Sequence, residues 1–169
     1  MMMLSAVPST LGKGTRLTTI PEYEHVSFQT VDSSQIWSEL MQKAVRRAVR
    51  EGIHQKVNDE RAARHLHPLK RSRFLDSLAS LHANHMAQNC AVMQSVKNVA
   101  ELRAVLHSKA VGENVQYGVA VNEMHKCTMR ASESISRRNI LSSRFTEMGS
   151  AVARGVDGKL YLCQLFRQA

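Results

Sequence analysis

The chain has few acidic residues, few cysteines, few aromatic rings and no long apolar runs, and each shortage removes a class of protein. Fourteen Asp and Glu stand against 23 Lys and Arg, a formal net charge of +9. Such a balance favours anionic partners over cationic ones. Cysteine occurs only at Cys90, Cys127 and Cys163. That odd, sparse set makes no disulfide framework, and no Cys-x-x-Cys pair marks a zinc site. The expectation is three reduced, mostly buried thiols. Aromatic residues are 5% of the chain, too few for a platform on which single-stranded nucleic acid stacks. No apolar run approaches the roughly 18–20 residues of a membrane-spanning helix. Gly-x-Ser-x-Gly, P-loop and Gly-x-Gly-x-x-Gly motifs are all missing, so neither a nucleophile elbow nor a nucleotide cradle is supported.

What is present is ordinary for a globular domain: 169 residues, 43% apolar and 22% charged. Residues 1–31 are Ser/Thr-rich, poor in basic residues and without a period. They read as a loose arm or leader, lacking the basic n-region and apolar core of a secretory signal. Residues 32–54 read as a basic amphipathic helix. Asp32-Ser33-Ser34 supply N-cap chemistry. Trp37, Leu40, Met41, Ala44, Val45, Ala48 and Val49 then recur near a period of 3.6, with Lys43, Arg46, Arg47 and Arg50 on the other side. Gly52 is expected to end or bend this helix. A polar helical stretch over 53–64 follows, then a connection containing Pro68, and helices near 71–89, 99–107 and 119–131. On the second of these four helical stretches, Leu75, Leu78, Ala79, His82, Met86 and Cys90 share one face. His82 is expected there as a half-buried core histidine with one hydrogen-bonded nitrogen, not as a metal ligand paired with His85.

The last third changes period. Segments 148–154 and 159–167 flank Gly155-Val156-Asp157-Gly158, a hairpin signal. In the final segment Leu160, Leu162 and Phe166 fall on one side and Tyr161, Cys163 and Leu165 on the other. A strand apolar on both faces is covered on both. The helices available to cover it imply an α/β fold, a three-layer α-β-α sandwich around a small antiparallel sheet.

Four segments also occur in a familiar order. VNDERAARHLHPL (57–69) has an Asn-x-x-Arg helix and a Leu-x-Pro-Leu turn. LASLHANHMA (78–87) has the form Ala-x-x-His-Ala-x-x-Met-Ala. VGENVQYG (111–118) carries Gly-Glu-Asn. RRNILSSRFTEMGSAVARGVDGKLYLCQLF (137–166) carries Asn-Ile-Leu, Phe-Thr-x-Met-Gly and Tyr-x-x-Gln-x-Phe. Together they resemble the CAP superfamily (cysteine-rich secretory, antigen 5 and pathogenesis-related class 1 proteins), most closely its bacterial-type SCP-like extracellular branch. The resemblance covers about two thirds of the chain and sets a CAP/SCP-like domain at 55–169. It implies an α-β-α sandwich with a cleft lined by two histidines and two glutamates, which hold a divalent metal in some members. It also implies an extracellular location, although no signal peptide is recognisable.

Carried over residue by residue, both carboxylates remain and both imidazoles are missing. The Glu of Gly-Glu-Asn is Glu113. Glu133 falls on the second acidic position, with Arg130 (or Met129, shifted by one) where the family has Trp. Ser136 stands at the histidine position before Asn139, and Gln94 at the other. Asn114, Tyr117 and Asn139 are the expected cleft supports. Without imidazole nitrogens the pair Glu113 and Glu133 offers oxygen ligands only, suited to weak magnesium or calcium at best. General acid–base chemistry loses its natural participant near neutral pH. The expected function is therefore a non-catalytic module binding an apolar or lipid-like ligand, a partner protein or an anionic membrane surface, with no cofactor. Two alternatives stand beside it. One is a CAP-type hydrolase using the carboxylates. The other is nucleic-acid binding through residues 43–73, where ten Lys and Arg face three acids; the low aromatic content argues against it.

Overall fold

The computed structural model describes residues 32–169, so the expectation for residues 1–31 lies outside the described residues. Ser33–Ala169 form one compact unit. Helix α1 spans Ser33–Ala62 without a break. Gly52 does not end it, the first of the two outcomes expected from the sequence. The apolar spacing Val49, Ile53, Val57 runs through the glycine at four-residue intervals and packs onto the sheet, and that packing outweighs the loss of about 1 kcal/mol for glycine inside a helix. The helix also runs across the boundary expected at 54/55.

After α1 come strand β1 (Lys70–Arg71), helix α2 (Arg73–Asn89), helix α3 (Val99–Leu106), strand β2 (Val111–Gly118), helices α4 (Val121–Arg130) and α5 (Ile135–Ile140), and strands β3 (Glu147–Arg154) and β4 (Leu160–Arg167). Local chemistry sets several ends. Ser72 caps α2 by accepting from Leu75 N–H, and Cys90 closes it in the left-handed conformation at φ 49°. Asn98 caps α3 and Ser134 caps α5 in the same way as Ser72.

The sheet order is β1-β3-β4-β2. Strands β3, β4 and β2 are antiparallel, and the two-residue β1 adds a parallel edge, Lys70 opposite Glu147. The β3–β4 hairpin turns on Gly155–Gly158, where Gly158 takes φ 79°. Strand β4 is central and divides the core as its alternation predicts. Tyr161, Cys163 and Leu165 pack with Leu75, Ala79, Met86, Leu102 and Leu106 of α2 and α3. Leu162 and Phe166 pack with Ile53 and Val57 of α1, Met124 of α4 and Ile140 of α5. The result is a three-layer α-β-α sandwich.

Polar side chains tie these elements together. Arg61 donates to the carbonyls of His67, Ile140 and Ser142, each at 2.8 Å. Asn58 holds both the N–H and the carbonyl of Leu69. On the opposite layer, Asp76 accepts from Ser150 N–H and from Arg71. Gly149 allows this approach, since a Cβ there would lie 2.3 Å from the backbone of Leu75 and Asp76. The thiols depart from expectation: Cys163 is buried, but Cys90 and Cys127 are exposed, and none is bridged. Cys90 ends its helix as the cap residue instead of lying on the packed face.

Candidate functional site

Strand β2 lies at the edge of the sheet, and side chains alternate across it. Val111 and Val115 join the α2–α3 side, whereas Asn114 and Gln116 reach α5 and α4 on the other. Glu113 shares the parity of Val111 and Val115 and is only 8% exposed. Its carboxylate accepts the N–H of Ser95 at 3.1 and 3.3 Å. The Cys163 thiol lies 4.0 Å from the same carboxylate. Burial first, and the neighbouring Glu113 second, push that thiol's pKa well up, so it stays a neutral donor.

The loop between α2 and α3 is thus pinned twice. Glu113 holds Ser95, and His82 Nε2 meets the carbonyl of Met93 at 2.7 Å. This is the core histidine with one bonded nitrogen that its place on the helix face implies. Two grooves flank the pinned loop and share Val96 and Leu102. The first, about 290 Å³, lies between α2 and α3 and is lined mainly by Leu78, Leu81, Val105, Leu106 and Leu165, with His82 and His85 at its side. The second, about 350 Å³, contains Gln94, Lys97, Glu113, Ile135 and Asn139.

The second groove gathers Glu113, Gln94 and Asn139 of the residues singled out in the sequence. Glu133 is exposed on the turn between α4 and α5 and lines neither groove. Ser136 contributes its backbone carbonyl, which accepts from buried Asn114 at 3.0 Å. Asn114 also donates to Gln164 and accepts from Asn139, and Asn139 donates to the Glu113 carbonyl. This network ties α5 to β2 and β4. Tyr117 sits four residues from Glu113, about 13 Å along an extended strand; it is exposed and stacks on Tyr161 under Lys159. On α1, Lys43, Arg46 and Arg47 are exposed, and Arg50 donates to Ser80.

The family model described as the cysteine-rich secretory protein family, CAP, matches residues 54–166. The chain belongs to the CAP family. Among solved structures, a cysteine-rich secretory protein of Staphylococcus aureus is 24% identical with a TM-score of 0.56, over 73% of this chain and 39% of that one. An extracellular SCP-domain protein of Bacillus anthracis is 16% identical with a TM-score of 0.61, over 75% and 42%. An outer surface protein of Borrelia burgdorferi is 11% identical with a TM-score of 0.59, over 82% and 96%. The CAP chain described here thus spans about two fifths of the first two relatives and nearly all of the third. No curated protein matches its sequence significantly.

The CAP domain's acidic residues are therefore not paired in one groove, and Glu113 is committed to a backbone N–H. Among the described residues, no group of three or more His, Cys, Asp or Glu is placed to hold a metal ion. No helix among them is long and apolar enough to cross a membrane. Sequence reasoning missed the lining of the first groove. Leu78, Leu81 and His85 are spaced by three and four on α2, as Leu102, Val105 and Leu106 are on α3. That doubled stripe was the available signal.

Proposed function

We propose that this CAP domain is a non-catalytic binding module that takes a small apolar, lipid-like ligand into the groove between α2 and α3. The observation that carries the reading is the lining of that groove. Its walls are mainly apolar side chains; of its polar groups, His82 and Ser95 are already bonded to the chain, and His85 is exposed at its side. Such a site rewards burial of hydrocarbon and offers few groups to orient a reacting bond. Glu113 acts in this reading as a clamp on the loop that forms one wall. No resident metal enters it.

Titration with a fluorescent fatty acid is the test. Micromolar binding is expected, weakened at least tenfold by Leu81→Glu or Val105→Glu, whose side chains are solvent-exposed and leave folding intact. Glu113→Gln is expected to alter affinity by loosening the loop. Absence of binding to any acyl chain would overturn the reading, and peptide cleavage lost in Glu113→Gln would replace it with the hydrolase one.

A further inference from the structure

The first half of α1 carries two neighbouring surfaces that the groove does not use. Ile36, Trp37, Leu40, Met41 and Val45 are all exposed, Trp37 at 67% and Met41 at 62%. At about 100° per residue, this stripe points roughly 150° away from the face that Ile53, Val57 and Arg61 bury in the domain. It is therefore not an unfinished part of the core contact. Beside it, between α1 and the start of α2, lies a depression of about 780 Å³ lined by Lys43, Arg47, Arg50, Arg71 and Arg73, with Asp76 the one acid. Arg71 is paired with Asp76 and Glu51, and Arg47 with Glu51. Five cations thus meet two carboxylates. Among the described residues, Lys43 and Arg73 have no ion pair.

We infer that this face docks on an anionic lipid bilayer. The apolar stripe enters the interface, and the basic depression takes the headgroup phosphates. The combination decides the occupant. An exposed apolar stripe containing Trp, with Arg47 and Lys43 roughly 75–115° further round the helix, matches an interfacial helix with its cations on the polar flank. A nucleic acid would use the cations but leave the stripe in water. A second copy covering the stripe would leave the basic depression without anions. The docking is independent of the α2–α3 groove, so either proposal can fail alone.

Trp37 is the single tryptophan of the chain, so its emission reports on the stripe directly. The full chain is mixed with phosphatidylcholine vesicles, or with vesicles containing about 30% phosphatidylserine, at physiological salt. A blue shift and co-flotation with the anionic vesicles alone are expected. Lys43→Gln with Arg47→Gln should weaken binding about fivefold per residue. Leu40→Ser with Met41→Ser should abolish the blue shift; these residues are exposed, and an unchanged melting temperature verifies the fold. Equal binding to neutral vesicles, no shift with anionic ones, or a lipid-free shift that grows with protein concentration alongside a dimer mass would each overturn the inference. The last result would assign the stripe to a second copy.

Discussion

Arg61 is 1% exposed, and its guanidinium is met by three carbonyl oxygens instead of a carboxylate. Burial lowers its pKa from the ordinary arginine value, yet the group remains charged near neutrality. Replacing it with Met keeps the bulk and strips three acceptors of their donor. Arg61→Met should cost about 3 kcal/mol or more, read from the urea midpoint. His125 carries a pH effect of definite sign. Burial depresses its pKa first, nearby Glu60 opposes that, and Lys56 adds to the depression. The unfolded chain therefore takes up this proton before the folded one does. The stabilisation is complete above about pH 6.5 and declines as pH falls below it. Urea midpoints measured between pH 7 and 5 should drop, and His125→Gln should remove that part of the slope.

Helices and strands differ in how far their neighbours can move, and two glycines separate the cases. Gly52, in the middle of α1, has nothing within 4 Å of a built Cβ. Gly52→Ala should therefore stabilise by about 0.5–1 kcal/mol, raising Tm by about 1–4 °C. At Gly149, on β3, an added Cβ would lie 2.3 Å from the backbone of α2. Gly149→Ala should destabilise by about 3 kcal/mol or more, because two main chains cannot both give way. Elements were legible in the sequence where period and punctuation agreed. Helix α2, the Gly155–Gly158 hairpin and the two-faced pattern of β4 all follow from spacing. Gly52 misled because a local preference was weighed without the packing of Ile53 and Val57. Strand β1 was missed because two residues have no period. The candidate site was less legible. Glu113 stood out by its motif, but its partner is a backbone N–H 18 positions away, which no side chain announces. The acid expected beside it, Glu133, matched by spacing, and spacing does not reveal on which side of a sheet a turn lies. The first groove joins Leu78, Val105 and Leu165, residues that only the fold makes neighbours.

At the largest scale, charge and apolar surface are unevenly distributed over the described residues. The layer of α2 and α3 presents an apolar groove, while the first half of α1 presents cations and an apolar stripe. A domain with both can hold a hydrophobic molecule while resting at a charged boundary. Salt should separate the two functions. Vesicle binding should fall steeply as ionic strength rises, while acyl-chain affinity should stay within about twofold, because burial of hydrocarbon is hardly screened.

Strand β4 pairs with β2 on one side and β3 on the other, yet it is made after the other elements of the described residues. During synthesis the ribosome must release residues 160–167 before either half of the interior can close. Until then α1 and α2 wait with their inner faces uncovered, a window in which a holding chaperone has the most to protect. A chain stopped at Lys159 should accordingly lack cooperative melting and bind a hydrophobic dye strongly.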